Sequence, residues 1–211
     1  MNPSTTLQAA PRQRLSTDER QREIVAAVLE LARERGPDAI TTQAIADLVG
    51  VTQGAIFRHF PDKKAIWLAV FAWVRESLGL VLETAVQNPE SPLAKIEAAF
   101  LAHVAFIAAN PGVPRVMFHE LQYPGDSLVR SEVRAMIAGY RKRLAVLFAE
   151  AQTAGELPAD LDTELAPVLF IGAVQGLVIE SALAGDEAAM MTRARRLFPL
   201  LLDGYRGPGR Q

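Results

Sequence analysis

Apolar residues recur at Ile24, Val28 and Leu31, and Val25, Leu29 and Ala32 widen the same stripe. That spacing is one face of a helix. Ser16, with Glu19 three positions on, forms a capping box at its start, each side chain meeting the other residue's free amide. Arg33, Glu34 and Arg35 close it, and Gly36-Pro37 stops it. Two short helices follow, over 42–49 and from 53 to 60. Gly50 turns the chain between them, and Thr52 suits the N-cap of the second. Asp62 caps a longer helix that runs to 86. Helical spacing continues over 93–109, 114–122, 127–154, 163–184 and 187–205, with Gly, Pro and Asn between the segments. No run alternates with the period of a strand. The pattern predicts an all-α chain of about nine helices, preceded by a loose Pro- and Ser-rich arm over 1–15 and ending in a frayed tail over 207–211.

Composition narrows the possible chemistry. The chain has 211 residues, half of them hydrophobic and 22% charged, with a net charge of −2. That is ordinary for a folded protein with its own core. There is no cysteine, which removes disulfides, thiolate metal sites and thiol nucleophiles. The three histidines, His59, His103 and His119, do not share a metal-ligand spacing, so no metal or cofactor is expected. The first residues lack a secretory core segment. The apolar stretch 165–179 is shorter than the about 20 residues a membrane span needs, and Glu180 ends it. It reads as a buried helix in a cytoplasmic protein.

The segment 41–66, TTQAIADLVGVTQGAIFRHFPDKKAI, carries the chemistry. It is a helix, a tight turn and a second helix: a helix-turn-helix, whose second helix can enter a DNA major groove. That second helix is small on one side. Gly54 and Ala55 allow close approach, while Thr52 and Gln53 offer neutral hydrogen-bonding groups to base edges or phosphates. Of Phe57 and Phe60, three apart, one is expected to pack inward. Thr41, Thr42, Arg58, His59, Lys63 and Lys64 surround the helix as phosphate binders, the last two at a helix N-terminus. The charge balance is a weak guide: residues 1–65 hold nine Lys/Arg and eight Asp/Glu.

Here the sequence resembles the TetR (tetracycline-repressor) family of transcriptional regulators. The resemblance rests on Thr41, Thr42, Ile45, Ala46, Gly50, Val51, Thr52, Gly54, Phe57, His59, Phe60 and Lys63, which fall in the family's order and spacing over about residues 17–68. One position departs: the family usually has a tyrosine where Phe57 stands, and its hydroxyl commonly touches a phosphate. The resemblance implies a helix-turn-helix domain over 16–65 and a larger helical domain over 66–206 that binds a small molecule and dimerises. It further implies a homodimer on a roughly palindromic operator in double-stranded DNA, with half-sites about one helical turn apart. It implies a repressor released by a small, largely apolar effector, and no enzymatic activity.

Two further surfaces are expected in the larger part. Phe71, Phe100, His103, Val104, Ile107, Phe118, Tyr140, Leu144 and Phe170 are candidates to line an effector pocket between the middle helices, although their spacing also describes a plain core. Gly172 and Gly176 form a small-residue stripe. With Val168, Gln175 and Ile179, and with Ala194, Leu197 and Leu201 of the last helix, they could form a four-helix dimer interface or pack within one protomer. Two other functions were weighed. A helical enzyme using His103, or His119 with Glu120, lacks any nucleophile motif, phosphate loop or metal spacing. A sensor without DNA binding has only Phe57 in its favour.

Overall fold

The computed structural model describes residues 15–122, 125–186 and 188–207. Among these, nine α-helices and one 3-10 turn follow one another, with no strand. The helices are α1 (Thr17–Glu34), α2 (Thr42–Val49), α3 (Gln53–His59), α4 (Lys63–Ala85), α5 (Pro92–Ala109), α6 (Gly112–Gln122), α7 (Leu128–Thr153), α8 (Ala166–Ala184) and α9 (Met190–Arg206). The 3-10 turn is Pro37–Ala39. The expected arm, with Arg12 and Arg14, lies outside the described residues save for Leu15, and so does the tail beyond Gly207.

Local chemistry accounts for most of the boundaries. The Ser16 amide donates to Glu19 Oε2 at 2.8 Å, and the Glu19 amide donates to Ser16 Oγ at 3.2 Å, which completes the capping box. Thr41, Thr52, Asp62, Ser91 and Ser127 each accept a backbone N–H in the first turn of the helix they precede. Gly50 ends α2 at φ 73°, a left-handed conformation that glycine adopts without strain. Three helix starts differ from expectation by two residues or more. α6 starts at Gly112 rather than at 114. α8 starts at Ala166 rather than at 163, because Asp162 Oδ1 takes the Glu164 and Leu165 amides in a turn of their own. α9 starts at Met190 and carries Pro199 in its interior, where the ring removes a backbone donor.

α5 is the hub of the larger part. It packs against α4, α7, α8 and α9. Its Phe100 is fully buried, 5.3 Å from Phe170 of α8 and 5.5 Å from Phe198 of α9 by ring centroids. The Tyr205 hydroxyl donates to the Ala166 carbonyl at 3.0 Å and pins the end of α9 to the start of α8. By length and composition, α4, α5 and α8 are apolar enough to cross a membrane. In the fold, α5 packs against both α4 and α8. The boundary expected between 65 and 66 falls inside α4, which runs unbroken from beside α3 into the larger bundle.

α1 packs against α2, α3 and α4, and against α6 from the larger part. The α1–α6 contact is set by Gly112, where a Cβ would sit 2.2 Å from the Leu29 carbonyl oxygen and 3.2 Å from the Ala32 Cβ. Only a hydrogen fits there. Gly112→Ala should therefore destabilise the fold by about 1–3 kcal/mol, because neither neighbour is a flexible chain end. A drop in Tm is the measurement, and an unchanged Tm would mean that α6 can stand off from α1 without cost.

One buried pair adds an acid-sensitive element. Tyr140 Oη lies 3.0 Å from His103 Nδ1, and burial depresses the His103 pKa to about 4 and raises that of Tyr140. The unfolded chain takes up this proton near pH 6.5, whereas the folded protein resists it until about pH 4. The neutral ring's contribution is thus present above pH 6.5 and is lost as the pH falls towards 4, a difference of about 3 kcal/mol. Replacing the pair by His103→Leu with Tyr140→Phe should flatten the fall of Tm across that window.

Candidate nucleic-acid interface and effector cavity

The α2–turn–α3 unit is held from behind by apolar side chains. Ile45, Ala46, Val49, Ile56 and Phe60 are buried against α1 and its neighbours. Gln21 of α1 donates to the His59 carbonyl at 3.0 Å and fixes the C-terminus of α3. The outer edge of α3 is consequently open. Thr52, Gln53, Gly54, Phe57 and Arg58 are exposed, with Phe57 at 44%, while Ala55 and His59 are half-buried. Of the two phenylalanines, Phe60 packs inward and Phe57 faces out. A Cβ on Gly54 would meet no atom within 4 Å, so the glycine there is not required by the fold.

The polar groups along this edge are ordered by one another. Gln53 Nε2 donates to Thr42 Oγ1 at 2.7 Å, which bridges α2 and α3. Thr41 and Thr52 cap their helices through Ala44 N at 3.1 Å and Ala55 N at 3.3 Å. Lys63 and Lys64 stand in the first turn of α4, beside the C-terminus of α3. Among the described residues no carboxylate pairs with Arg58, Lys63 or Lys64. The residues expected at DNA fall on α2, α3, their N-caps and the start of α4, and of these Gln53 and Thr42 are brought into direct contact.

The larger part holds a partly open apolar cavity of about 230 Å³ among α4, α5, α6, α7 and α8. Of the expected pocket residues, His103, Ile107, Phe118 and Tyr140 line it. Phe71, Phe100, Val104, Leu144 and Phe170 do not, and they fill the core around it. Sequence reading missed the lining residues Leu78, Phe106, Met117, Met136 and Ile171, whose periodicity is that of any core position. A second cavity of about 230 Å³, between α5, α6 and α8, shares the wall of Ile107, Pro114 and Phe118.

The last two helices place the expected dimer residues on two sides. Val168, Gly172, Gly176 and Ile179 are exposed along α8, and Leu197 of α9 is half-buried. Ala194 and Leu201 are buried in the protomer, because α9 turns them towards its neighbours. Gln175 departs from expectation too: it lines the central cavity. The outward apolar face of α8 and α9 instead adds Leu165, Leu169, Leu183 and Leu200, which are 49–85% exposed. Leu169 and Leu183 belong to α8, which is apolar on every side, so its outward face does not stand out in the sequence.

His119 and Glu120, weighed as an acid–base pair, have structural partners. His119 Nε2 lies 3.3 Å from Asp38 Oδ1 of the 3-10 turn, and Glu120 accepts from Ser127 Oγ at 3.0 Å.

Two family models match the chain. Residues 24–70 match the bacterial regulatory proteins of the tetR family, and residues 125–198 match the tetracyclin repressor-like C-terminal domain. The nucleoid occlusion factor SlmA of Aliivibrio fischeri is 26% identical over 159 residues, which cover 74% of this chain and 81% of that protein. The fold is similar to that of the fatty acid degradation regulator FadR from Bacillus halodurans, with a TM-score of 0.78 and 19% identity, over 92% of this chain and 99% of that one. It is also similar to FadR from Bacillus subtilis, solved in complex with stearoyl-CoA, with a TM-score of 0.73 and 20% identity, over 87% and 98%. With the helix-turn-helix edge exposed and both parts of the chain matched, the protein belongs to the TetR family of DNA-binding transcriptional regulators, a non-enzymatic family.

Proposed function

We propose that this regulator is a cytoplasmic repressor that binds a palindromic operator as a homodimer and lets go when a small, largely apolar effector enters the central cavity. The observation that carries the reading is the open edge of α3, small at Gly54 and Ala55 and flanked by Arg58, Lys63 and Lys64. In this reading α1–α3 and the start of α4 form the reading head. Thr52, Gln53, Gly54 and Ala55 meet base edges and phosphates. Thr41, Thr42, Phe57, Arg58, His59, Lys63 and Lys64 meet the backbone. Phe57 makes an apolar contact where a tyrosine would add a hydrogen bond. The remaining helices hold the effector and, through the outward faces of α8 and α9, the second protomer.

The cavity favours an apolar occupant. Among the described residues no charged side chain lines it, and its volume lies below the about 300–1,000 Å³ usual for ligand sites, so the buried part is a short chain. An acyl chain is the candidate body, since a regulator of similar fold was solved with an acyl thioester. α6 lines the cavity and also packs on α1, so an occupant that displaces α6 displaces the reading head.

The test is a gel shift on DNA upstream of the protein's own coding sequence, at moderate salt. If no sequence is bound more tightly than random DNA, the repressor reading falls. Gly54→Leu should fold normally, because the side chain meets open space, and should abolish specific binding by holding α3 off the groove. Normal binding by this folded variant would place Gly54 away from DNA. Lys63→Ala should weaken binding to every sequence alike. It should also reduce the slope of log K against log salt by about 2 for a dimer, one phosphate per protomer. Equal slopes for variant and parent would remove Lys63 from the interface.

A further inference from the structure

The central cavity has three polar groups, and they are not equivalent. His103 Nδ1 and Tyr140 Oη are 3.0 Å apart and hydrogen-bond to one another. Gln175, on the same wall of α8 as Ile171, is different: its Oε1 is buried and has no hydrogen-bond partner. The two ends of an amide exchange by rotation about a soft terminal torsion, so the group can present a donor or an acceptor to whatever occupies the cavity. A buried amide oxygen without a partner is costly and correspondingly rare in native proteins. The positions around it in sequence, Ile171, Val174 and Val178, are apolar, and a leucine or methionine would serve packing better.

We propose that Gln175 is the specificity-determining residue of the cavity, and that the effector carries an uncharged hydroxyl or amide group on a short apolar body. This rests on the effector-cavity reading above. A hydroxyl or an amide both donates and accepts, and so meets either end of the Gln175 side chain. An ester or thioester carbonyl only accepts and satisfies half of it. A carboxylate is worse placed: no cation lines the cavity to replace the water it would lose. The site therefore rejects a free fatty acid and discriminates among neutral chains by their hydrogen-bonding group. Sites of this kind discriminate strongly, because an analogue that lacks the group leaves the protein's own polar atom unpaired.

Four probes of similar length separate the possibilities: n-octanol, octanamide, methyl heptanoate and octanoate at pH 8, with binding measured by calorimetry and thermal shift on the full chain. The parent should bind n-octanol and octanamide about tenfold more tightly than methyl heptanoate, and octanoate least. The ratio of n-octanol to octanamide tells which of the two groups the site prefers. Gln175→Met should erase most of the discrimination while keeping affinity for methyl heptanoate. Without ligand it should melt about 3 °C above the parent, because an unsatisfied amide is gone. If all four probes bind the parent equally, or Gln175→Met keeps the parent's ranking, Gln175 does not set specificity and the cavity remains an apolar effector site. If none of them binds or shifts the Tm, the effector-cavity reading itself fails and the assignment of Gln175 fails with it. The parent's ranking decides the point even where the variant folds poorly.

Discussion

The arrangement depends on the close approach of α6 to α1 at Gly112. That contact has no slack: a single methyl group would overlap the Leu29 carbonyl. From there α6 runs along the cavity and contributes Val113, Pro114, Met117 and Phe118 to its wall. One short helix is therefore shared between the element that carries the helix-turn-helix and the space that can hold a small molecule. Close-packed interiors respond to an inserted group by shifting whole elements rather than by yielding atom by atom. The His119–Asp38 contact, at 3.3 Å, ties the same helix to the 3-10 turn that leads into α2. A change in the position of α6 is thus felt on both sides of the reading head.

The reading head itself shows how much of a fold local chemistry can specify. Ser16, Thr52 and Asp62 stand one position before the helices they cap, and Gly50 marks the turn by its left-handed backbone. These features are written in adjacent residues, so a sequence displays them directly. Gly112 was not legible in the same way. Nothing in its neighbours says that a carbonyl from a helix some eighty residues earlier will lie against it. Its role is tertiary, and it shows in the sequence only as one glycine after a proline.

α8 marks the other limit. With Phe170, Val174 and Leu177 buried, Val168, Leu169 and Ile179 exposed, and Gln175 in the cavity wall, it has apolar residues on every face. Periodicity identifies a helix only when one side differs from the other. For Ala194 and Leu201 of α9 the sequence leaves a dimer seam and a protomer core both open, since alanine and leucine suit an interface and a core equally. The informative residue is Gln175, since the other polar residues of α8, Glu180 and Ser181, stand near its C-terminal end. A glutamine between Val174 and Gly176, in a helix otherwise apolar for several turns, is out of place in a core and equally so in an apolar dimer seam.

Net charge was blind to the interface for a reason the structure makes plain. Residues 1–65 are close to neutral, yet six of their eight acids are engaged in structural work. Glu19 and Asp62 cap helices, Asp47 accepts from Gln43, Glu23 and Glu30 pair with Arg20 and Arg33, and Asp38 meets His119. Two of the cations are drawn into those pairs as well. Arg58, Lys63 and Lys64 lie at the end of α3 and the start of α4, beside the open edge of α3. A phosphate backbone responds to the potential at the surface it touches, which falls off over about a Debye length, and not to the sum over a segment. Counting charges along the chain averages the capping acids with the cations beside the open edge of α3. Only the fold separates them.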